Sequence, residues 1–375
     1  MSINGGDIMS DKKMTMLDYV YETPQAVRNN VKNSFNITKN LVDLFLKKDY
    51  KRLWIIASGS SYNASQCAKL FIEKYLNIEV KIISPFTFNY YESNLKDDDF
   101  AIVISQSGCS TNSIDSLKKL NELKIESIGV TANLDSDFKD YATHIIDYGC
   151  GIETVGYVTK GVVTLSVFLM LFSVEASYAK GNLTSEEKAM LLNQISDSMS
   201  TYEEITRNTL KLFKDNYKSF TSMTNAYVCG CGISFGAALE GALKIGETIQ
   251  IPAVAYEAEE FLHGPNLQLN PLYTLFFIDN EDSTSQRTIE IYHAVRSITD
   301  RAFIITNNKT VDEQHALRFT SQPNPYLKSI YTVAFFQVLS FMVTNELHKW
   351  EKHPLYNKFK TLISYKSKSY IDREC

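Results

Sequence analysis

The chain has 375 residues, 44% hydrophobic and 22% charged, with a formal net charge of −5 at pH 7. That length exceeds what one core usually fills, so two domains of roughly 150–180 residues are expected, and the ordinary composition excludes a fibrous or disordered chain. A net acidic chain whose lysines cluster only in short runs such as "KFK" and "YKSKSY" carries no electrostatic footprint for nucleic acid, which is not an expected partner.

In chain order, "MSINGGDIMSDKKMTMLDYVYETP" lacks the apolar run of a signal peptide, and "TPQAVRNNVKNSFNITKNLVDLFLKK" has helical spacing of its apolar residues. The period then changes. "RLWIIAS" reads as a strand, "SGSS" as a turn and "SSYNASQCAKLFIEKYL" as a helix. "EVKIIS", "DFAIVISQSG", "IESIGVTAN" and "THIIDYG" read as further strands, with "STNSIDSLKKLNEL" a helix among them. Strands alternating with helices build a parallel sheet covered on both faces. The run "VVTLSVFLMLFSVEASYA" at 162–179 approaches membrane length, but it carries Ser166, Ser173, Glu175 and Ser177. It reads as a core helix, and no membrane is expected.

Helical pattern extends from about Thr159 to Asp215, after which the same grammar restarts. "NAYVCGCG", "AVAYE", "LYTLFFID" and "RAFIITNN" are strands; "SFGAALEGALKIGETIQ", "QRTIEIYHAVRSITD" and "YLKSIYTVAFFQVLSFMVTNELHKW" are helices. Two copies of one α/β unit follow, with a boundary between residues 183 and 222. Cys67, Cys109, Cys150, Cys229, Cys231 and Cys375 form no zinc set and read as free thiols in a reducing cytoplasm.

Chemistry concentrates at three places. "SGSSYN" (58–63) and "SQSGCST" (105–111) each join a strand to a helix, so hydroxyls and backbone N–H groups converge at helix N-termini, which favour an anion. In a parallel sheet both turns lie on the carboxyl edge, where ligands bind. They supply Ser60, Ser61, Ser105, Ser107, Ser110 and Thr111 without a nearby lysine or P-loop pattern, which suits the phosphate of a small molecule. Serines are also ordinary helix N-caps, and that alternative stands beside the first. The third place is the helix in "ALEGALKIGETIQ". Glu240, Lys244 and Glu247 form one stripe, either a solvated salt-bridge row or part of a site, and the residues between them are apolar or glycine. Downstream, His263 sits in "EEFLHGP", where Gly264 and Pro265 fix a turn. Carboxylate plus imidazole is a minimal set for moving a proton beside a carbonyl.

The stretches "GSSYNA", "SQSGCSTNS" and "ALEGALKIGETIQIPAVAYEAEEFLHGP" resemble the sugar isomerase (SIS) domain family, in particular the isomerase half of glucosamine-6-phosphate synthase and the stand-alone 6-phosphate deglycases. The resemblance covers about residues 30–350. It implies an α/β chain of two SIS domains, each a flavodoxin-like three-layer sandwich: a helical segment 1–33, a first domain 34–185, a helical linker 186–221, a second domain 222–350 and a tail 351–375. It implies that Ser61, Ser105, Gln106, Ser107 and Ser110 hold a sugar phosphate, with Ser60 also among the substrate-binding residues, and that Glu247 shuttles a proton between C1 and C2. His263 from the neighbouring subunit would assist ring opening, while Glu240 and Lys244 orient the sugar, the lysine being able to form a Schiff base in the synthase. It further implies a homodimer or tetramer with shared sites and no cofactor or metal.

Departures accompany the likeness. The first strand arrives by about residue 53, which leaves no room in this sequence for the synthase's glutamine amidohydrolase, so glutamine is not expected as direct ammonia donor. Val158, in "GIETVGYVTKG", stands where the synthase has a serine facing the phosphate. In the tail, "EKHPLYNKFKTLISYKSKSY" replaces the synthase's segment with its catalytic lysine, and Lys358 or Lys360 is a candidate to stand near that place, without a matching motif. The expected function is deglycation of a sugar–amine 6-phosphate by a cytoplasmic enzyme; the alternatives are ketose–aldose or aminosugar isomerisation, and a non-catalytic sugar-phosphate sensor.

Overall fold

A computed structural model of the chain describes residues 13–367 and residue 369. Ten strands form two five-stranded sheets. The first sheet holds β1 (Arg52–Ala57), β2 (Glu79–Ile83), β3 (Asp99–Ile104), β4 (Ile128–Thr131) and β5 (His144–Asp147). The second holds β6 (Ala226–Gly230), β7 (Ala253–Glu257), β8 (Thr274–Ile278), β9 (Ala302–Ile305) and β10 (Ala316–Leu317). All pairings are parallel, in the orders β2-β1-β3-β4-β5 and β10-β9-β8-β6-β7. Read from its other edge, the second order is β7-β6-β8-β9-β10, the same flavodoxin-like winding as the first. In such a sheet the chain winds outward in both directions from the first strand, leaving a crevice at the carboxyl ends of the first and third strands. In the first half that crevice lies between the turns after β1 and β3, the two serine turns.

The helices between the sheets share one apolar core running from Val20 to Val343. Helix Lys160–Ala179 is buried along almost its whole length, and by length and composition it and the stretch Pro325–Glu346 are apolar enough to cross a membrane. Both are instead enclosed by other parts of the chain, which is why neither has a polar face. The stretch expected as a linker is a 31-residue helix, Ser185–Asp215, started by a capping box in which Thr184 and Glu187 satisfy each other's backbone N–H. It buries Leu191, Ile195, Met199, Ile205 and Phe213, and its Tyr202 hydroxyl donates to Gln337 Oε1 of helix Lys328–Glu346 at 2.8 Å.

Helix Phe235–Lys244 is wedged between helix Gly59–Leu76 of the first half and helix Lys328–Glu346. Its two glycines explain how closely it fits. A Cβ on Gly236 would stand 2.4 Å from the Cys67 nitrogen, and one on Gly241 would stand 2.6 Å from the Phe336 ring. Glycine inside a helix costs about 1 kcal/mol relative to alanine; here the cost is offset by contact that no larger residue permits.

Candidate functional site

The wedged helix carries its charges inward. Glu240 and Lys244 are both completely buried, so the stripe is not a solvated one. Glu240 Oε1 accepts from Ser60 Oγ at 3.0 Å and pairs with Lys244 Nζ at 3.0 Å, while Oε2 accepts from Asn63 Nδ2 at 2.8 Å. Lys244 Nζ also donates to Ser60 Oγ at 3.3 Å and pairs closely with Glu247. Ser60 and Asn63 are one turn apart on helix Gly59–Leu76, so a polar face of the first half meets the charged stripe of the second.

Burial pushes the Glu240 carboxyl above its ordinary value, with Lys244 and Asn63 holding it back. Burial pulls Lys244 down, but the carboxylates of Glu240 and Glu247 outweigh it and raise the ammonium above its ordinary value. A Schiff-base amine must be neutral to attack. In this arrangement Lys244 is held charged, as a fixed cation between two carboxylates.

Glu247 stands apart from its neighbours. It lies in a π-helical turn, Ile245–Ile249, and its side chain remains 30% exposed. Such turns break the regular ladder to re-aim a side chain and recur at functional sites. Gln250, left-handed at φ 60°, ends the helix and donates to the carbonyls of Lys349 and Glu351; Lys352 Nζ donates to the Glu247 carbonyl at 2.8 Å.

The serine turns open into a cavity of about 1440 Å³ walled by Ser60, Ser61, Ser105, Gln106, Ser107 and Ser110, the 151–158 loop with Val158, and C-terminal residues. Neither helix-capping serine, Ser58 or Ser110, caps its helix through its side chain, so the capping alternative does not account for these turns. Gln106 is fixed by donating to Glu153 Oε2 at 2.7 Å, while Glu153 also accepts from the backbone N–H groups of Thr159, Lys160 and Gly161, closing the N-terminus of helix Lys160–Ala179. Ser60 joins the two groups: it lines the cavity and bonds to Glu240 and Lys244.

His263 is not among them. It is exposed on the turn that follows β7, whereas Glu247 precedes the start of β7. No described hydrogen bond or ion pair joins His263 to Glu247, and His263 does not line the cavity.

The tail also departs from expectation. Lys358 and Lys360 lie on helix Leu355–Leu362; Lys360 reaches the cavity wall but stacks over Tyr356, and Lys358 does not line the cavity. The chain turns back at Ile363, and Lys366 is the lysine delivered to the serine turns, donating to Ser107 Oγ at 2.8 Å and Ser110 Oγ at 3.2 Å. Asn63, Glu153 and Lys366 were not foreseen. Asn63 had a signal, its one-turn spacing from Ser60; Lys366 had none, since nothing local ties it to Ser107 and Ser110, 259 and 256 positions earlier.

The SIS domain family model matches residues 47–174 and 219–343. The glutamine–fructose-6-phosphate aminotransferase (isomerizing) of Chlorobaculum tepidum is 25% identical over 343 residues, 88% of this chain and 55% of the relative. That of Thermotoga maritima is 28% identical over 286 residues, 74% of this chain and 46% of the relative. The chain thus spans about half the length of the curated relatives it matches. Among solved structures, a candidate phosphosugar isomerase from Clostridium difficile 630 superposes with TM-score 0.85 at 22% identity, covering 94% of this chain and 99% of that one. The C-terminal domain of the Francisella tularensis glucosamine-fructose-6-phosphate aminotransferase superposes with TM-score 0.81 at 22% identity, covering 92% and 99%. At those identities the likeness is one of fold.

Proposed function

The chain belongs to the SIS domain family, and from that premise we propose that it is a sugar–amine 6-phosphate deglycase. The serine turns hold the phosphate, and Glu247 moves a proton between C1 and C2. On a 1-amino-1-deoxyketose 6-phosphate, the Glu247 carboxylate removes a proton from C1 to give the enaminol. Return of the proton to C2 leaves an imine at C1; water adds to that carbon, the C–N bond breaks, and the products are an aldose 6-phosphate and a free amine. Glu240 and Lys244, themselves fully buried, orient the sugar through the groups they hold, Ser60 and the Glu247 carboxylate.

The observation that carries this reading is the row Glu240, Lys244 and Glu247, its first two members fully buried, joined through Ser60 to the serine turns: proton-transfer groups and an anion cradle share one serine. The relatives' names support a 6-phosphorylated sugar as ligand. The absence of His263 from its own chain's cavity lining fits a homodimer in which each imidazole serves the other subunit's site. Among the described residues, five free, buried thiols fit the reducing cytoplasm. Supplying a panel of sugar–amine 6-phosphates and measuring free amine tests the proposal. Amine release from one of them supports deglycation; interconversion of ketose and aldose phosphates without amine release identifies an isomerase, and binding without turnover identifies a sensor.

A further inference from the structure

Four charged residues line the cavity among the described ones: Glu153, already engaged with Gln106 and three backbone N–H groups, and Lys352, Lys360 and Lys366. All three lysines follow Trp350 in sequence. The serine turns thus have no cation of their own, and in a chain of net charge −5 the positive charge at this cavity comes from the C-terminal segment. Lys352 donates to the Glu247 carbonyl, Lys360 lies over Tyr356, and Lys366 donates to Ser107 and Ser110.

The placement of Lys366 is fixed by backbone. Residues 365–367 run antiparallel to 109–111: Ser110 bridges Lys366, the Thr111 N–H donates to the Tyr365 carbonyl at 3.3 Å, and the Ser367 N–H donates to the Cys109 carbonyl at 2.9 Å. The hydroxyls it meets are informative. A serine hydroxyl has two acceptor lone pairs and one proton. Ser107 Oγ accepts from the Cys109 N–H at 3.3 Å and from Lys366; Ser110 Oγ accepts from Ser105 Oγ at 3.2 Å and from Lys366. With both lone pairs of each oxygen occupied, each hydroxyl is left with a proton to donate. Two hydroxyl donors beside an ammonium make a cradle for an anion.

We propose that Lys366 is a direct ligand of the substrate's phosphate, supplying its counter-charge and turning the Ser107 and Ser110 hydroxyls outward as donors, so that the tail sets the preference for phosphorylated over neutral sugars. This rests on reading the serine turns as the phosphate site. It places the tail lysine at the phosphate end of the substrate, away from the sugar carbons where the resemblance puts its counterpart.

The test uses the full chain, K366M and K366R, with calorimetric titration of inorganic phosphate, fructose 6-phosphate and fructose at low and high salt. K366M is expected to bind both anions about 10- to 100-fold more weakly, with fructose binding unchanged and the salt dependence reduced; K366R keeps most of the affinity. Anion binding by K366M equal to or tighter than that of the parent overturns the proposal, the second because the tail would then compete with phosphate. So does equal weakening for fructose, or a K366R no better than K366M. If the parent chain binds neither anion, the phosphate reading of the serine turns fails and the Lys366 proposal falls with it.

Discussion

Replacing Lys244 by Met leaves Glu240 with no cation at a position of zero exposure. Asn63 and Ser60 still donate to it, but the charge is unpaired, and breaking a buried pair in this way costs about 3–5 kcal/mol. Set against a total stability of roughly 5–15 kcal/mol, that is a large share. The loss has a definite pH dependence. Burial already holds the Glu240 carboxyl above its ordinary value with Lys244 present, and removing the lysine raises it further. Between the unfolded carboxyl value, about 4.3, and the raised native one, the folded state binds more protons than the unfolded state, so stability falls as pH rises through that window. K244M is therefore expected to lose less, relative to the parent, at pH 5 than at pH 8. The K244M/E240L pair removes both charges and should recover most of the loss, since apolar replacement of a whole buried pair is often neutral. Urea unfolding at both pH values reads all three variants. A K244M loss below about 1 kcal/mol, a loss that grows on acidification, or a double variant as weak as the single one would refute the reasoning from burial.

Replacing Ser105 and Ser107 together by Ala should weaken binding of sugar 6-phosphates by roughly 2–4 kcal/mol while leaving the unphosphorylated sugar little changed; equal weakening in calorimetry would assign these serines to the fold. Mixing inactive Glu247→Gln and His263→Ala protomers at equal concentration should restore about one quarter of the parent's activity per site, because about half of the dimers are mixed and each holds one complete site. Freely exchanging subunits that stay inactive would remove His263 from the partner's site. Gly241→Ala drives a methyl to 2.6 Å from the Phe336 ring and should destabilise by about 1–3 kcal/mol in urea unfolding; a neutral result would mean that the wedged helix is free to shift.

Much of the architecture could be read from the sequence because its signals are local. Nine of the ten strands are apolar runs closed by turn residues, and the repeat of the same grammar after residue 222 anticipated a second sheet wound like the first. The two-residue β10, Ala316–Leu317, is too short to carry a period, and the six-residue helix Pro85–Tyr90 is hardly longer. At the site, the spacing of Glu240, Lys244 and Glu247 foretold a stripe but not its burial. That comes from the contact of Gly236 with Cys67 and of Gly241 with Phe336, both long-range. The π turn that displaces Glu247 has no local signature in "KIGETIQ". Ser60, expected among the substrate-binding residues, lines the cavity and also bonds to Glu240 and Lys244, because helix Gly59–Leu76 faces the second half along that side. The tail was the least legible: helix Leu355–Leu362 was not foreseen, and the turn back at Ile363 replaces Lys358 and Lys360 with Lys366.

The central claim is that Glu247 moves a carbon-bound proton between C1 and C2 of a 6-phosphorylated sugar. The most direct measurement is proton NMR of fructose 6-phosphate, and of the sugar–amine 6-phosphate that releases amine, incubated with the protein in D2O. The parent chain is predicted to wash deuterium into C1 or C2, and Glu247→Gln, which keeps the shape of the side chain but cannot accept a proton, to do so about 10²- to 10⁴-fold more slowly. No exchange by the parent, or exchange by Glu247→Gln within a few-fold of it, would contradict the account.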